Sequence, residues 1–180
     1  MTYVFDTNSF RILGNYFPLR FPSFWKQFNV AVADEQVVST REVYNELQYQ
    51  LGVGHLSKWI EDNKRNGAVR LKGKERVQHL SKWIENNKGV FLVPQKEETR
   101  FVARILGVPH FHQMIGREAV FQGYPVADPF VIACAAVRKG CVVTEESLKE
   151  NAAKIPNVCE HFGVKWTNLE GFMNGQGWEF

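Results

Sequence analysis

The chain has 180 residues, 44% of them hydrophobic and 23% charged, with a net charge of +3. That is the composition of a single globular domain long enough to bury a substantial core. No apolar run is long enough to cross a bilayer, and no charged-then-apolar leader opens the chain, so a cytoplasmic protein with no membrane partner is expected. The mild positive charge permits an anionic partner such as nucleic acid without demanding one. Cys134, Cys141 and Cys159 show no CxxC spacing. Cys134 falls in an apolar helical run and Cys141 opens an apolar strand, so core packing suits both better than metal or a disulfide.

The first element is a short apolar run, Tyr3-Val4-Phe5, that breaks into Asp6-Thr7-Asn8-Ser9. It reads as a buried strand followed by a helix start. Asp6 has two readings: a helix cap, or an acid at the carboxyl end of a central strand, where open α/β sheets place their ligands. A short helix over Ser9 to Leu13 should stop at Gly14-Asn15. Phe21, Phe24, Trp25 and Phe28 recur at helical spacing, which suits a core face. Gln36 to Ser39 reads as a second strand, and Ser39 or Thr40 as the cap of a helix carrying Glu42, Val43, Glu46 and Leu47.

The middle of the chain holds a repeat. His55-Leu56-Ser57-Lys58-Trp59-Ile60-Glu61-Asp62-Asn63-Lys64 returns as His79-Leu80-Ser81-Lys82-Trp83-Ile84-Glu85-Asn86-Asn87-Lys88, differing only at Asp62 against Asn86. Each copy sets Leu, Trp and Ile at i, i+3 and i+4, the pattern of an amphipathic helix. Two copies are too few for a solenoid, so a local duplication is the simplest account: one domain over 1–180 with a duplicated helical insertion around 53–88. The basic residues between the copies (Lys64, Arg65, Arg70, Lys72, Lys74, Arg76) suit either a phosphate-contacting arm or a solvated face.

Gly89 to Pro94 reads as a strand and Glu97 to Leu106 as a helix. His110 and His112 lack the further histidine or cysteine that a metal site would need. Phe130 to Val137 is a helix apolar nearly all round, with Asp128 as its expected N-cap and Pro129 as its first residue. Cys141 to Thr144 is a buried strand that ends at Glu145-Glu146. Pro156 precedes a short helix to Phe162, Val164 to Trp166 is a last strand, and Asn168 starts a terminal helix. Strands alternating with helices predict an α/β fold, a three-layer α/β/α arrangement around a central, mostly parallel sheet.

Acids recur where these strands end or helices begin: Asp6, Glu42 and Glu46, Asp128, Glu145 and Glu146. Each alone suits a cap or a solvated helix acid. In one parallel sheet, however, those ends share an edge, and converging carboxylates repel one another unless a cation joins them. An all-oxygen, partly hydrated site suits Mg²⁺ or Mn²⁺, which polarise phosphoryl oxygens and activate water.

Val4-Phe5-Asp6-Thr7-Asn8 resembles the opening motif of PIN-domain nucleases. Val126-Ala127-Asp128-Pro129-Phe130-Val131-Ile132-Ala133 and Val142-Val143-Thr144-Glu145-Glu146 resemble their third and fourth motifs, in order. Lys154 to Val164 is similar to a prokaryotic, toxin-like PIN subfamily. The resemblance implies a PIN-like fold and a metal-dependent endoribonuclease in which water attacks an RNA phosphodiester. It implies Asp6 and Asp128 as metal ligands, with Glu46 as the helix-borne acid and Glu42, one turn earlier, as its rival. Glu146 falls at the fourth acidic position, where aspartate is more usual, and Asn8 and Thr144 would orient ligands or water. It further implies a cognate antitoxin protein that inserts into the site, and a homodimer. The alternative is a PIN-fold RNA- or protein-binding protein with weakened catalysis, favoured by the substituted fourth acid and the extra helix.

Overall fold

A computed structural model of the chain describes residues 1–51, 71–115 and 126–179. The first repeat copy, the basic stretch up to Arg70 and the lead-in Tyr124-Pro125 lie outside the described residues. Five strands, β1 (Tyr3–Phe5), β2 (Val37–Thr40), β3 (Phe91–Leu92), β4 (Cys141–Val143) and β5 (Lys165–Thr167), form one sheet in the order β3-β2-β1-β4-β5. Every neighbouring pair is parallel, with Tyr3 in register with both Val37 and Cys141. The sheet is thus wholly rather than mostly parallel.

Between the strands run α1 (Thr7–Leu13), α2 (Pro22–Ala33), α3 (Arg41–Leu51), α4 (Leu71–Asn86), α5 (Lys96–Leu106), α6 (Asp128–Val137) and α7 (Ile155–Phe162), and α8 (Leu169–Gly175) closes the chain. Helices cover both faces, giving three layers, because strands this apolar must be buried on both sides. Helix α6 carries no polar side chain between Pro129 and Val137 and lies under α5 and α7 against β1, β2 and β4. On the other face Phe5 meets Phe28 and Phe172 with ring centroids 5.7 and 5.1 Å apart. These rings are fully buried, worth about 2–3 kcal/mol each by the area they remove from water.

Helix α4 contains the second repeat copy. Leu80, Trp83 and Ile84 are buried in the core, so this copy is part of the fold. Glu98, buried on α5, closes a capping box with the Gln95 N–H (2.8 Å) and approaches the Arg138 guanidinium just beyond α6 (3.5 Å). Paired in this way, the buried acid fixes α5 against α6.

Several expected boundaries move. Asp128 is the first residue of α6 and Ala127 occupies the cap position; the head of the helix is turned by one residue, which leaves the Asp128 carboxyl free of capping. Pro156 lies inside the first turn of α7, where its missing N–H costs nothing. The strand expected over Gly89 to Pro94 shrinks to Phe91–Leu92 because Lys88–Val90 winds as a 3₁₀ turn.

Candidate functional site

In the order β3-β2-β1-β4-β5 the chain leaves β1 for β2 on one side and later returns to β4 on the other. The carboxyl ends of β1 and β4 therefore border the topological switch point, the crevice in which parallel sheets bind ligands. Asp6 follows β1 and Thr144 follows β4, and the Thr144 hydroxyl donates to Asp6 Oδ2 at 2.7 Å. The other oxygen, Oδ1, accepts the Ser9 N–H at 2.6 Å, so Asp6 is also the N-cap of α1. Asp6 therefore caps α1 and stands at the carboxyl end of β1 at once. Hydroxyls stitch the same sheet edge: Ser39 Oγ donates to the Phe5 carbonyl (2.7 Å) and Ser9 Oγ to that of Val143 (2.9 Å).

Helix α3 brings in the third acid. Thr40 Oγ1 accepts from the Val43 N–H (3.4 Å) and starts the helix. One turn further on, Glu46 Oε2 accepts from the Thr7 hydroxyl, and Oε1 accepts from the Ala127 N–H at 2.8 Å. That backbone contact sets Glu46 beside Asp128 at the head of α6. Glu42 pairs through Oε1 with Arg41 at 3.0 Å, and its Oε2 is buried without a hydrogen-bond partner among the described residues. Of the two rivals, Glu46 is the one that joins the acids.

Burial, and then the charges of Glu46, Glu146 and Asp6, push the Asp128 carboxyl up to about 7. The carboxyl of Asp6 is raised chiefly by burial, against the lowering effect of its bonds to Thr144 and Ser9; Glu146 adds to the rise. Glu46 is raised by burial too, partly offset by Thr7 and Ala127. Three acids from separate elements thus resist ionising, each chiefly because it is buried, and for Asp6 and Asp128 also because other carboxylates stand near.

Glu145 and Glu146 have architectural partners. Glu145 accepts the Leu169 N–H at the start of α8 (2.8 Å), and Glu146 accepts the Ile155 N–H at the start of α7 (2.9 Å) with Lys154 Nζ 3.9 Å away. Both are favourable anions at helix starts. Asn8 is exposed beside the cleft. Thr7 and the Ala127 N–H, which hold Glu46, were not anticipated. Thr7 stands inside the first motif, but its partner lies 39 residues away and no local pattern points to it.

Among the described residues, no three carboxylate, histidine or cysteine side chains are drawn together closely enough to hold an ion by themselves. Mg²⁺ fits such a layout, because it keeps several waters and takes only one or two carboxylates directly. The donor set is all oxygen, and each Asp6 oxygen spends one lone pair on its hydrogen bond and keeps another. Asp6 and Asp128 are the residues that would hold the ion directly, with Glu46 reaching it through one of its waters. His110 and His112 lie on a 3₁₀ turn over Pro109–Met114, where His112 bonds the Leu106 carbonyl.

Fold and site together define an all-parallel α/β protein with an acidic cleft at its switch point. The chain belongs to the family described as a domain of unknown function (DUF4411), whose model matches residues 3–79 and 68–180. The two matches overlap over 68–79; the first runs through the first repeat copy and the second through the other, as expected if the chain carries twice a stretch that the family has once. No curated protein and no solved structure matches the chain. Among the described residues no helix is long and apolar enough to cross a membrane.

Proposed function

We propose that the protein is an Mg²⁺- or Mn²⁺-dependent endoribonuclease of the PIN type, acting as the toxin of a toxin–antitoxin pair. What carries the reading is the link from Thr144 to Asp6 across the switch point, with Glu46 tied to the backbone beside Asp128. A bound divalent ion supplies phosphoryl polarisation and water activation. The protein's own part is to hold and orient. Asp6 and Asp128 would hold the ion from two elements, Thr7 and the Ala127 N–H fix the Glu46 carboxylate, and Thr144 fixes that of Asp6. Lys154, beside Glu146, offers a cation to an RNA phosphate at the rim. The partners of this reading are RNA, an antitoxin protein that fills the cleft, and a second copy of the chain in a homodimer.

Mixed RNA incubated with the purified protein should be cleaved in Mg²⁺, spared in chelator, and spared by Asp6→Asn and by Asp128→Asn. Full activity in either variant would sink the proposal. One observation favours the alternative, a PIN-fold binding protein with weakened catalysis: Glu145 and Glu146 both serve backbone N–H groups. Divalent-ion binding with no turnover on any RNA would select it.

A further inference from the structure

The second repeat copy occupies a groove formed by α1, α2 and α3. Its Trp83 ring lies 5.4 Å from Phe28, 5.9 Å from Trp25 and 6.0 Å from Phe10, and its indole N–H donates to Asn29 Oδ1 at 2.9 Å. The His79 ring meets Trp25 edge to face at 4.8 Å. Glu85 Oε1 accepts from the Tyr44 hydroxyl (3.1 Å) and from Gln48 Nε2 (2.8 Å), and Lys88 pairs with Glu85 and lies 5.9 Å over the Tyr44 ring. Every one of these contacts is made by a residue that recurs unchanged in the first copy: His55, Trp59, Glu61 and Lys64, together with Leu56 and Ile60 for the buried Leu80 and Ile84. The single difference, Asn86 against Asp62, falls at an exposed position of α4. By these contacts the groove does not distinguish the copies.

We propose that the groove accepts either copy, so that segment 55–64 is a second, interchangeable occupant of the seat now filled by α4. Chain geometry permits the exchange. Lys88 meets Tyr44, while Glu85, earlier in the second copy, meets Gln48, one turn later in α3, so the two helices run antiparallel. An antiparallel helix pair needs a connection of only about 2–5 residues, and Gly52-Val53-Gly54 stands between α3 and His55. With the first copy seated, 26 residues (65–90) would return to β3, against 27 (52–78) that now lead from α3 to the second copy. Loop closure depends only logarithmically on length, so the two arrangements differ little in that cost. Both belong to one chain, and the high effective concentration favours exchange within it over exchange between chains. The groove rests on α1 and α3, the helices that bear Thr7 and Glu46, so seating and site are joined through the same two elements.

Thermal melting of the full chain with Trp83→Ala, Trp59→Ala and both together tests the exchange. If either copy fills the seat, each single variant melts within about 5 °C of wild type, independently of protein concentration, and the double variant falls by on the order of 10 °C or more. In the Trp83→Ala background, thiols introduced by Gln48→Cys and Glu61→Cys should then join under a short bismaleimide, the three native cysteines being buried. A Trp83→Ala chain that melts as low as the double variant or fails to fold overturns the proposal. So does a rescue that depends on protein concentration, or the absence of that cross-link.

Discussion

Replacing Asp128 by asparagine should stabilise the metal-free protein near neutral pH while removing its activity. The folded state holds this carboxyl at about 7 against an ordinary 3.8. At about 1.4 kcal/mol per pH unit, that is at most ~4 kcal/mol of preference for the protonated form. Partial exposure screens some of it, and the start of α6 favours an anion by ~0.3–1 kcal/mol. A net effect of about 2–3 kcal/mol remains. Because the folded value is raised, the stability linked to this group is complete below about pH 4 and is lost as pH climbs through about 7. The asparagine variant has no such charge to gain. In chelator the two proteins should melt together at pH 4, and at pH 8 the variant should lead by on the order of 5–10 °C, given ~2–4 °C per kcal/mol at this chain length. Millimolar Mg²⁺ should close the gap by stabilising wild type alone. Scanning calorimetry across pH 4–8, with and without Mg²⁺, measures this. A variant no more stable than wild type at pH 8, or a gap that ignores pH, would refute the electrostatic account of the cleft.

Glu46→Gln should lower RNA cleavage by about 100-fold or more, whereas Glu42→Gln, whose carboxylate pairs with Arg41, should stay within about threefold; equal losses would show that the helix acid is misassigned. Thr144→Val removes the hydroxyl between Asp6 Oδ2 and the Glu146 N–H and should cost about 1–3 kcal/mol in urea unfolding; no loss would mean that the link contributes little. Gly140→Ala would place a methyl 2.5 Å from the Thr2 carbonyl, and should lower the melting temperature by several degrees because backbone must move to admit it.

Much of the fold was legible because its strands are short apolar runs broken abruptly by polar residues. Tyr3 to Phe5 and Cys141 to Val143 announce buried strands, and the acids and threonine just after them mark one edge of the sheet. Helix α6 was equally plain, since only a buried helix is apolar all round. Other features depend on contacts far apart in sequence. Glu42 and Glu46 share a helix face, and only the Ala127 N–H, 81 residues from Glu46, decides between them. Glu145 and Glu146 were read as anions at a helix start, which they are, but the helices are α7 and α8 rather than one that follows at once. The shift of Asp128 from cap to first helical residue is a one-residue difference that local pattern does not resolve. Each repeat copy is legible as an amphipathic helix, but amphipathicity alone does not say whether its apolar face meets the main core or a peripheral patch.

The most direct test of the central claim, that Asp6, Glu46 and Asp128 form one divalent-cation site at the switch point, is a Mn²⁺ titration followed by electron paramagnetic resonance. Wild type should bind Mn²⁺ at one protein site, competed by Mg²⁺. Asp6→Asn and Asp128→Asn should each weaken that site at least tenfold, and Glu42→Gln should leave it unchanged. Binding that survives in both aspartate variants, or no binding to wild type at millimolar Mn²⁺, would contradict the assignment.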